Sequence, residues 1–458
     1  MRRYLVIGLL YFLGFPSLTS AQDSTNTSKS TVPVEGTMGF RTFWMSTSYF
    51  EDFKGDYALG QAAFLRLKTK DFRGFSIAAR YTLFANVWSS DLLDRDPITG
   101  NFNRYEVGLF DVTNPAERFF GKLEELQLKY QSKKITGVFG RMDINTPFIN
   151  PQDGRLSPTF VQGAQLAYRP NNTHHFTGYI IDRISPRSTS GWYDVGETFG
   201  LYPVGQSTFG KPSLYKGKTN SHFVSILEWK GQVLPEMSLQ FNHTFVDNVS
   251  STYFLQALND WKQPGRRYDL FTGTQFILQH GVVEGGNPDR TLQFKHPEDL
   301  NYVFSGRIGI KNPKMQWHLN YTRIDGRGRF LSPREWGRDP FFTFIPRERN
   351  EGFNQVDAIT TYYQRNLPSA GLQLYGFAGL HFLPDPTDVE INKFGFPSYA
   401  QANLGGRYTP DWSKGLDFHL ILMSKINIRE GEMKPQWIYN KVDMFHVNFI
   451  VNYQLTWK

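Results

Sequence analysis

The chain has 458 residues, with 50 Lys and Arg against 42 Asp and Glu and no cysteine. The lack of cysteine excludes a disulfide framework, thiolate zinc sites and cysteine catalysis. The net charge of +8 is a mild excess without any dense Lys/Arg run, and it gives no ground for nucleic acid as a partner.

The N-terminus reads as a targeting signal. Arg2 and Arg3 supply a positive start, 4–15 is apolar, and Thr19-Ser20-Ala21 is a small-residue cleavage site. The apolar stretch is too short to cross a bilayer as a helix. Residues 1–21 are therefore expected to be a cleaved signal peptide. The mature part then carries 48 basic and 42 acidic residues, a net +6. Residues 22–37 begin Ser/Thr-rich and read as a flexible periplasmic tail. From 38 to 458 there is no further composition break and no solenoid-period repeat, which predicts one large domain. No later window is apolar enough for a spanning helix, yet 16% of residues are aromatic. Strands with one face to lipid and one to a wet lumen have this composition, and a closed barrel reaches this size by adding strands.

Taken in chain order, the segments show a period of two. Phe75, Ile77, Ala79, Tyr81 and Leu83 alternate with Ser76, Ala78, Arg80 and Thr82. Met237, Leu239, Phe241 and Phe245 alternate with Ser238, Gln240, Asn242 and Thr244. Similar alternation runs through 302–310, 315–322 and 416–425. The last segment is the longest: Phe445, Val447, Phe449, Val451, Tyr453, Leu455 and Trp457 form one apolar face. Such patterning predicts strands between two different solvents. Short Gly/Pro/Asn/Lys turns lie near 69–74, 131–134, 169–172, 311–314 and 410–415. They alternate with long segments near 88–121, 143–159, 184–221, 247–300, 325–353 and 427–443. Short turns on one side and long loops on the other predict an all-β, antiparallel transmembrane β-barrel of the outer membrane. The count depends on 267–300. If 268–279 spans and a short partner forms near 290–295 there are 18 strands; if both belong to one loop, 16 are possible.

Two stretches resemble a known family. Gly140-Arg141, Asn145-Thr146-Pro147, then Asp153-Gly154-Arg155-Leu156-Ser157-Pro158-Thr159-Phe160 and Gly163 look like the third-loop region of the OprD-type outer-membrane porins. Arg334-Glu335-Trp336-Gly337-Arg338-Asp339-Pro340-Phe341, leading to Val356-Asp357-Ala358, looks like a later long loop and the strand after it. The resemblance covers about 38–458. It implies an eighteen-stranded barrel narrowed by inward loops, passive passage of small charged solutes, a basic ladder on the lumen wall, and a monomer or loose trimer.

Strand parity tests the ladder. Arg66, Arg80, Lys129, Arg307, Arg407 and Lys425 each lie on the face opposite the apolar one, and so point into the lumen. A base facing lipid at mid-depth costs about 2–4 kcal/mol. A row of such cations gives an anion a string of shallow sites, while pairing with inner-face acids such as Glu125 and Asp417 is the competing role. Arg323 has outward parity and reads as a rim anchor, and the resemblance puts Arg141 at the base of the constriction loop. Pro147, Pro151, Gly154 and Pro158 restrict loop 143–159, which is expected to fold into the pore with Asp153 and Arg155 at its narrow point. Arg334, Glu335, Arg338 and Asp339 read as a locking network.

The function expected is passive, partly selective diffusion of anionic or zwitterionic solutes such as carboxylates or amino acids. A sugar channel is the alternative, followed by a barrel enzyme with His243 on its lipid face and by a plugged adhesion barrel. No catalytic residue, metal or cofactor is assigned: His174 and His175 point to opposite faces and lack a third ligand. The expected partners are small-molecule solutes, outer-membrane lipids and the barrel assembly machinery.

Overall fold

The computed structural model describes residues 34–151 and 155–457. The expected signal peptide, the tail up to residue 33, and Asp153 lie outside the described residues. The strands are β1 (Val34–Tyr49), β2 (Asp56–Thr69), β3 (Phe75–Ser89), β4 (Phe119–Gln131), β5 (Ile135–Met142), β6 (Phe160–Tyr168) and β7 (His174–Ser185). A two-residue β8 (Tyr193–Asp194) follows, then β9 (Val224–Leu234), β10 (Met237–Val246), β11 (Ser250–Trp261), β12 (Asp269–Gly281) and β13 (Leu300–Asn312). The last are β14 (Met315–Arg327), β15 (Val356–Leu367), β16 (Leu372–Phe382), β17 (Tyr399–Tyr408), β18 (Leu416–Asn427) and β19 (Met444–Trp457).

Each strand pairs antiparallel with its sequence neighbour, except that β7 pairs with β9 past β8. The sheet closes where β1 meets both β2 and β19, with Trp44 opposite Leu59 on one side and Phe449 on the other. Eighteen strands thus make a barrel without a free edge, and β8 rests on the end of β7 at Arg183 and Ile184. Among the described residues no helix is long and apolar enough to cross a membrane.

The count of eighteen is reached differently from the sequence expectation. β12 spans as expected, but its partners are β11 and β13, whereas 290–295 lies in a loop containing a short 3-10 turn at Arg290–Leu292. β11 falls inside the long segment expected at 247–300; its start, Ser250-Ser251-Thr252, carries no apolar face. β1 begins at Val34, so Val34–Thr37 belong to the barrel rather than to the tail.

The outer face is apolar as the alternation predicts: Leu166, Phe139 and Leu404 are each more than 60% exposed. The inner face is only partly polar. Phe43, Met45, Ile277, Val303 and Ile324 point inward and are fully buried, because loops fold onto them. Leu109, Phe110 and Leu156 pack beside Phe43 and Met45; Phe330, Phe341 and Phe353 pack beside Ile277 and Val303. Each such side chain contributes about 1.5–3 kcal/mol by leaving water, which is what anchors long loops inside a wet tube.

Candidate functional site

Four loops meet inside the barrel: 90–118, 143–159, 186–223 and 328–355. The described part of loop 143–159 packs against the inner wall and the neighbouring loops. Arg155 is buried, its Nη1 donating to the Tyr105 carbonyl at 2.8 Å and lying 3.1 Å from the Met45 sulfur. Ser157 donates to Glu124 on the wall. Asn150 ties this loop to loop 328–355, accepting from the Arg338 amide at 3.0 Å and donating to the Arg338 carbonyl at 3.1 Å. The expected lock is present around it. The Glu335 carboxylate accepts from the amides of Gly200 and Tyr202, and Trp336 Nε1 donates to Thr198 at 2.8 Å. Asp339 accepts from the Asn350 amide at 2.9 Å, and Arg334 pairs with Glu351.

Between these loops lies a cavity of about 430 Å³. Eight basic side chains line it, namely Arg104, Arg155, Arg187, Lys216, Arg334, Arg347, Arg349 and Lys425, against one acid, Glu348. Glu348 is committed to Lys425, 2.6 Å away. Arg104, Arg187, Lys216 and Arg349 make no ion pair among the described residues. Burial holds Arg104 and Arg349 down to about 10, Arg104 also feeling Arg334, so both stay charged at neutral pH. Arg155, Ser188 and Arg347, all in the lining, have φ of +40°, +60° and +76°. Left-handed backbone at non-glycine residues costs on the order of 1–3 kcal/mol each and clusters at functional sites.

The six ladder residues all lie on the inner face, but in different company. Arg66 makes a two-point contact with Glu125, at 2.6 and 2.8 Å. Arg80 lies 2.8 Å from Glu124 and stacks on Phe64 at 3.8 Å. A register shift between Arg80 and Tyr81 inserts an extra residue in β4, which turns both Glu124 and Glu125 inward. Arg407 pairs with Asp417 at 2.6 Å. Lys425 is buried against Glu348 beneath loop 328–355. Arg307 donates to Asn320 at 2.9 Å and lies 4.3 Å from the Phe342 ring. Lys129 makes no ion pair among the described residues. Of the expected constriction residues, Arg155 lines the cavity.

Three side chains stand apart from the pore. Arg141 sits near the end of β5, at the base of loop 143–159, where the resemblance puts it; its side chain shares the outer face with Phe139 and stacks on Trp192 at 4.5 Å. Arg323 faces outward as expected, bridging Asp325 and Asp357 at 2.6 and 2.5 Å. His243, on the same outer surface, lies 2.8 Å from the Ser251 hydroxyl and stacks on Tyr253 at 4.4 Å.

Sequence reasoning missed Arg104, Arg187, Lys216, Arg347 and Arg349, because strand parity says nothing about loops. The density of arginine in 327–349 (Arg327, Arg329, Arg334, Arg338, Arg347, Arg349) was the available signal. It also missed an aromatic arc on the inner wall: Phe271, His318, Tyr362, Phe377, Tyr375 and His419 follow one another at ring spacings of 4.5–5.9 Å.

No family model matches the chain, and no curated protein matches it. Solved structures do. That of OccAB3 from Acinetobacter baumannii matches at a TM-score of 0.73 and 14% identity, over 93% of this chain and 99% of that one. OccK9 (OpdG) from Pseudomonas aeruginosa gives 0.70 and 13%, over 93% and 98%. OpdK from Pseudomonas aeruginosa, in a structure with vanillate, gives 0.69 and 12%, over 93% and 99%. At these identities the likeness establishes the fold, that of a closed antiparallel β-barrel.

Proposed function

We propose that this chain is an OprD-type outer-membrane channel that admits small anionic solutes, carboxylates foremost, by passive diffusion. The observation that carries this reading is the cavity lining, eight basic side chains against one acid. Cations fixed in a narrow, low-dielectric tube focus the field and raise the local anion concentration. Conduction further needs sites weak enough to release the solute. The ion-paired bases along the wall, Arg66, Arg80 and Arg407, supply partly neutralised positions of that kind beyond the cavity. Export by the signal at 1–21 and assembly as a monomer or loose trimer belong to the same reading.

The aromatic arc favours a refinement: a solute with a flat ring beside its carboxylate. Ring faces at the wall offer stacking surface, and Arg307 lies within the arc, between Phe271 and Tyr362. Vanillate, present in the OpdK structure, is a molecule of this kind. Proteoliposome swelling tests both levels. Benzoate and acetate should enter faster than uncharged solutes of equal size, benzoate most of all. Equal entry of sugars and carboxylates of matched size would replace the proposal with a sugar or general channel.

A further inference from the structure

The charges on the connections between strands are sorted by side. The eight turns on the side of the termini contain ten basic and three acidic residues, a net +7. The nine connections on the other side contain 20 basic and 27 acidic residues, a net −7. In outer-membrane barrels the short turns face the periplasm, so the positive rim lies at the inner leaflet.

Three properties of the rim identify what it meets. First, its ten cations are all exposed and make no ion pair among the described residues. They are available to a partner. Second, they ride on six of the eight turns and so run round the barrel: Lys70 and Arg73 after β2, Lys133 and Lys134 after β4, Arg169 after β6. Lys262, Arg266 and Arg267 follow β11, Lys314 follows β13, and Lys414 follows β17. A protein partner would need a patch on one sector; a ring fits a surface that encircles the barrel. Third, each group adjoins exposed aromatics of the kind that mark a membrane interface. Arg73 lies beside Phe72 and Phe75, Lys133 beyond Tyr130, Arg169 next to Tyr168, Lys262 next to Trp261, Lys314 near Trp317 and Lys414 near Trp412. The aromatic rings set the depth, and the cations just beyond them stand at the level of lipid phosphates.

We propose that this rim is a docking surface for the headgroups of anionic phospholipids in the inner leaflet, which hold the barrel at a fixed depth through Lys/Arg–phosphate contacts. Basic side chains just outside a membrane are drawn to anionic lipid over about one Debye length. The inference rests on the outer-membrane orientation and is independent of which solute the pore carries.

The test is native mass spectrometry of the refolded protein released from nanodiscs of phosphatidylcholine with phosphatidylglycerol. The retained lipid should be enriched in phosphatidylglycerol by at least ~3-fold over its share of the mixture. The variant Lys133→Gln/Lys134→Gln/Arg266→Gln/Arg267→Gln should lose half or more of that enrichment. A matched variant on the loop side, Arg118→Gln/Lys211→Gln/Lys218→Gln/Lys434→Gln, changes the net charge equally and should keep it. Absence of enrichment in the unsubstituted protein overturns the proposal, and so does equal loss in both variants. Single-channel ion preference of the rim variant should be unchanged. If it falls while lipid retention stays, the rim serves the solute and not the lipid.

Discussion

Replacing Lys425 with methionine isolates one joint of the pore. Lys425 Nζ lies 2.6 Å from Glu348, and both side chains are almost fully buried. Methionine keeps most of the volume and removes the charge, leaving the buried Glu348 carboxylate without its direct ion-pair partner. Breaking a buried pair in this way costs about 3–5 kcal/mol, whereas replacing both partners with neutral groups is often near neutral. The penalty falls on loop 328–355, which can lift away while the strand ladder stays intact. At about 1.4 kcal/mol per factor of ten, the open population of the loop should rise at least a hundredfold. The readout is amide exchange at Glu348, bonded to the Ile345 carbonyl, and at Asn350, bonded to Asp339. Both should lose protection by roughly that factor in Lys425→Met, while β18 amides stay protected. The double variant Lys425→Met/Glu348→Gln should recover most of it. If the single variant exchanges like the parent, or the double variant is no better than the single one, the pair does not hold the loop.

The other predictions concern conduction. Arg187→Gln with Arg349→Gln removes two cavity cations that make no ion pair among the described residues, and should lower the chloride-to-potassium permeability ratio severalfold; an unchanged ratio would remove them from the path. Arg407→Gln strands Asp417, turning a neutral pair into a net negative wall, so anion conductance should fall, whereas Arg407→Lys should retain it. Burial raises Glu106 to about 7 and Asp339 to about 6. Both are ionised at pH 8 and protonated at pH 5, so acidification removes two negative charges beside the cavity. Anion preference should therefore rise from pH 8 to pH 5, and a constant or falling reversal potential would contradict the assignment. Tyr362→Ala with Phe377→Ala should weaken block of the current by benzoate while leaving acetate unaffected, which separates the aromatic arc from the charge effect.

The barrel was legible in the sequence where one face of a strand meets lipid. β19 is the clearest case: Phe445, Phe449 and Leu455 are exposed, and His446 and Asn448 are buried, as alternation requires. Legibility failed where loops cover the inner face. Val303 and Ile324 are apolar on both counts of parity because they pack under loop 328–355, and β11 starts with polar residues on both faces. The bulge in β4 shifts parity by one residue, so a strict period of two puts Lys122 and Glu124 on the face opposite Glu125, although all three are buried on the inner side. The wall arginines were found because period two points at them; the cavity arginines were not, because their convergence depends on loop packing across hundreds of residues of sequence, as between Asn150 and Arg338. Arg141 shows what motif likeness carries and what it leaves open: the motif marks its place at the base of the loop, and strand parity decides the face.

The most direct test of the central claim is the reversal potential of single channels of the refolded mature protein in a planar bilayer under a potassium chloride gradient. An eight-to-one basic cavity predicts stepwise conductance with preference for chloride over potassium, reduced by added benzoate. Preference for potassium, or no conductance from a protein shown to be folded, would contradict it.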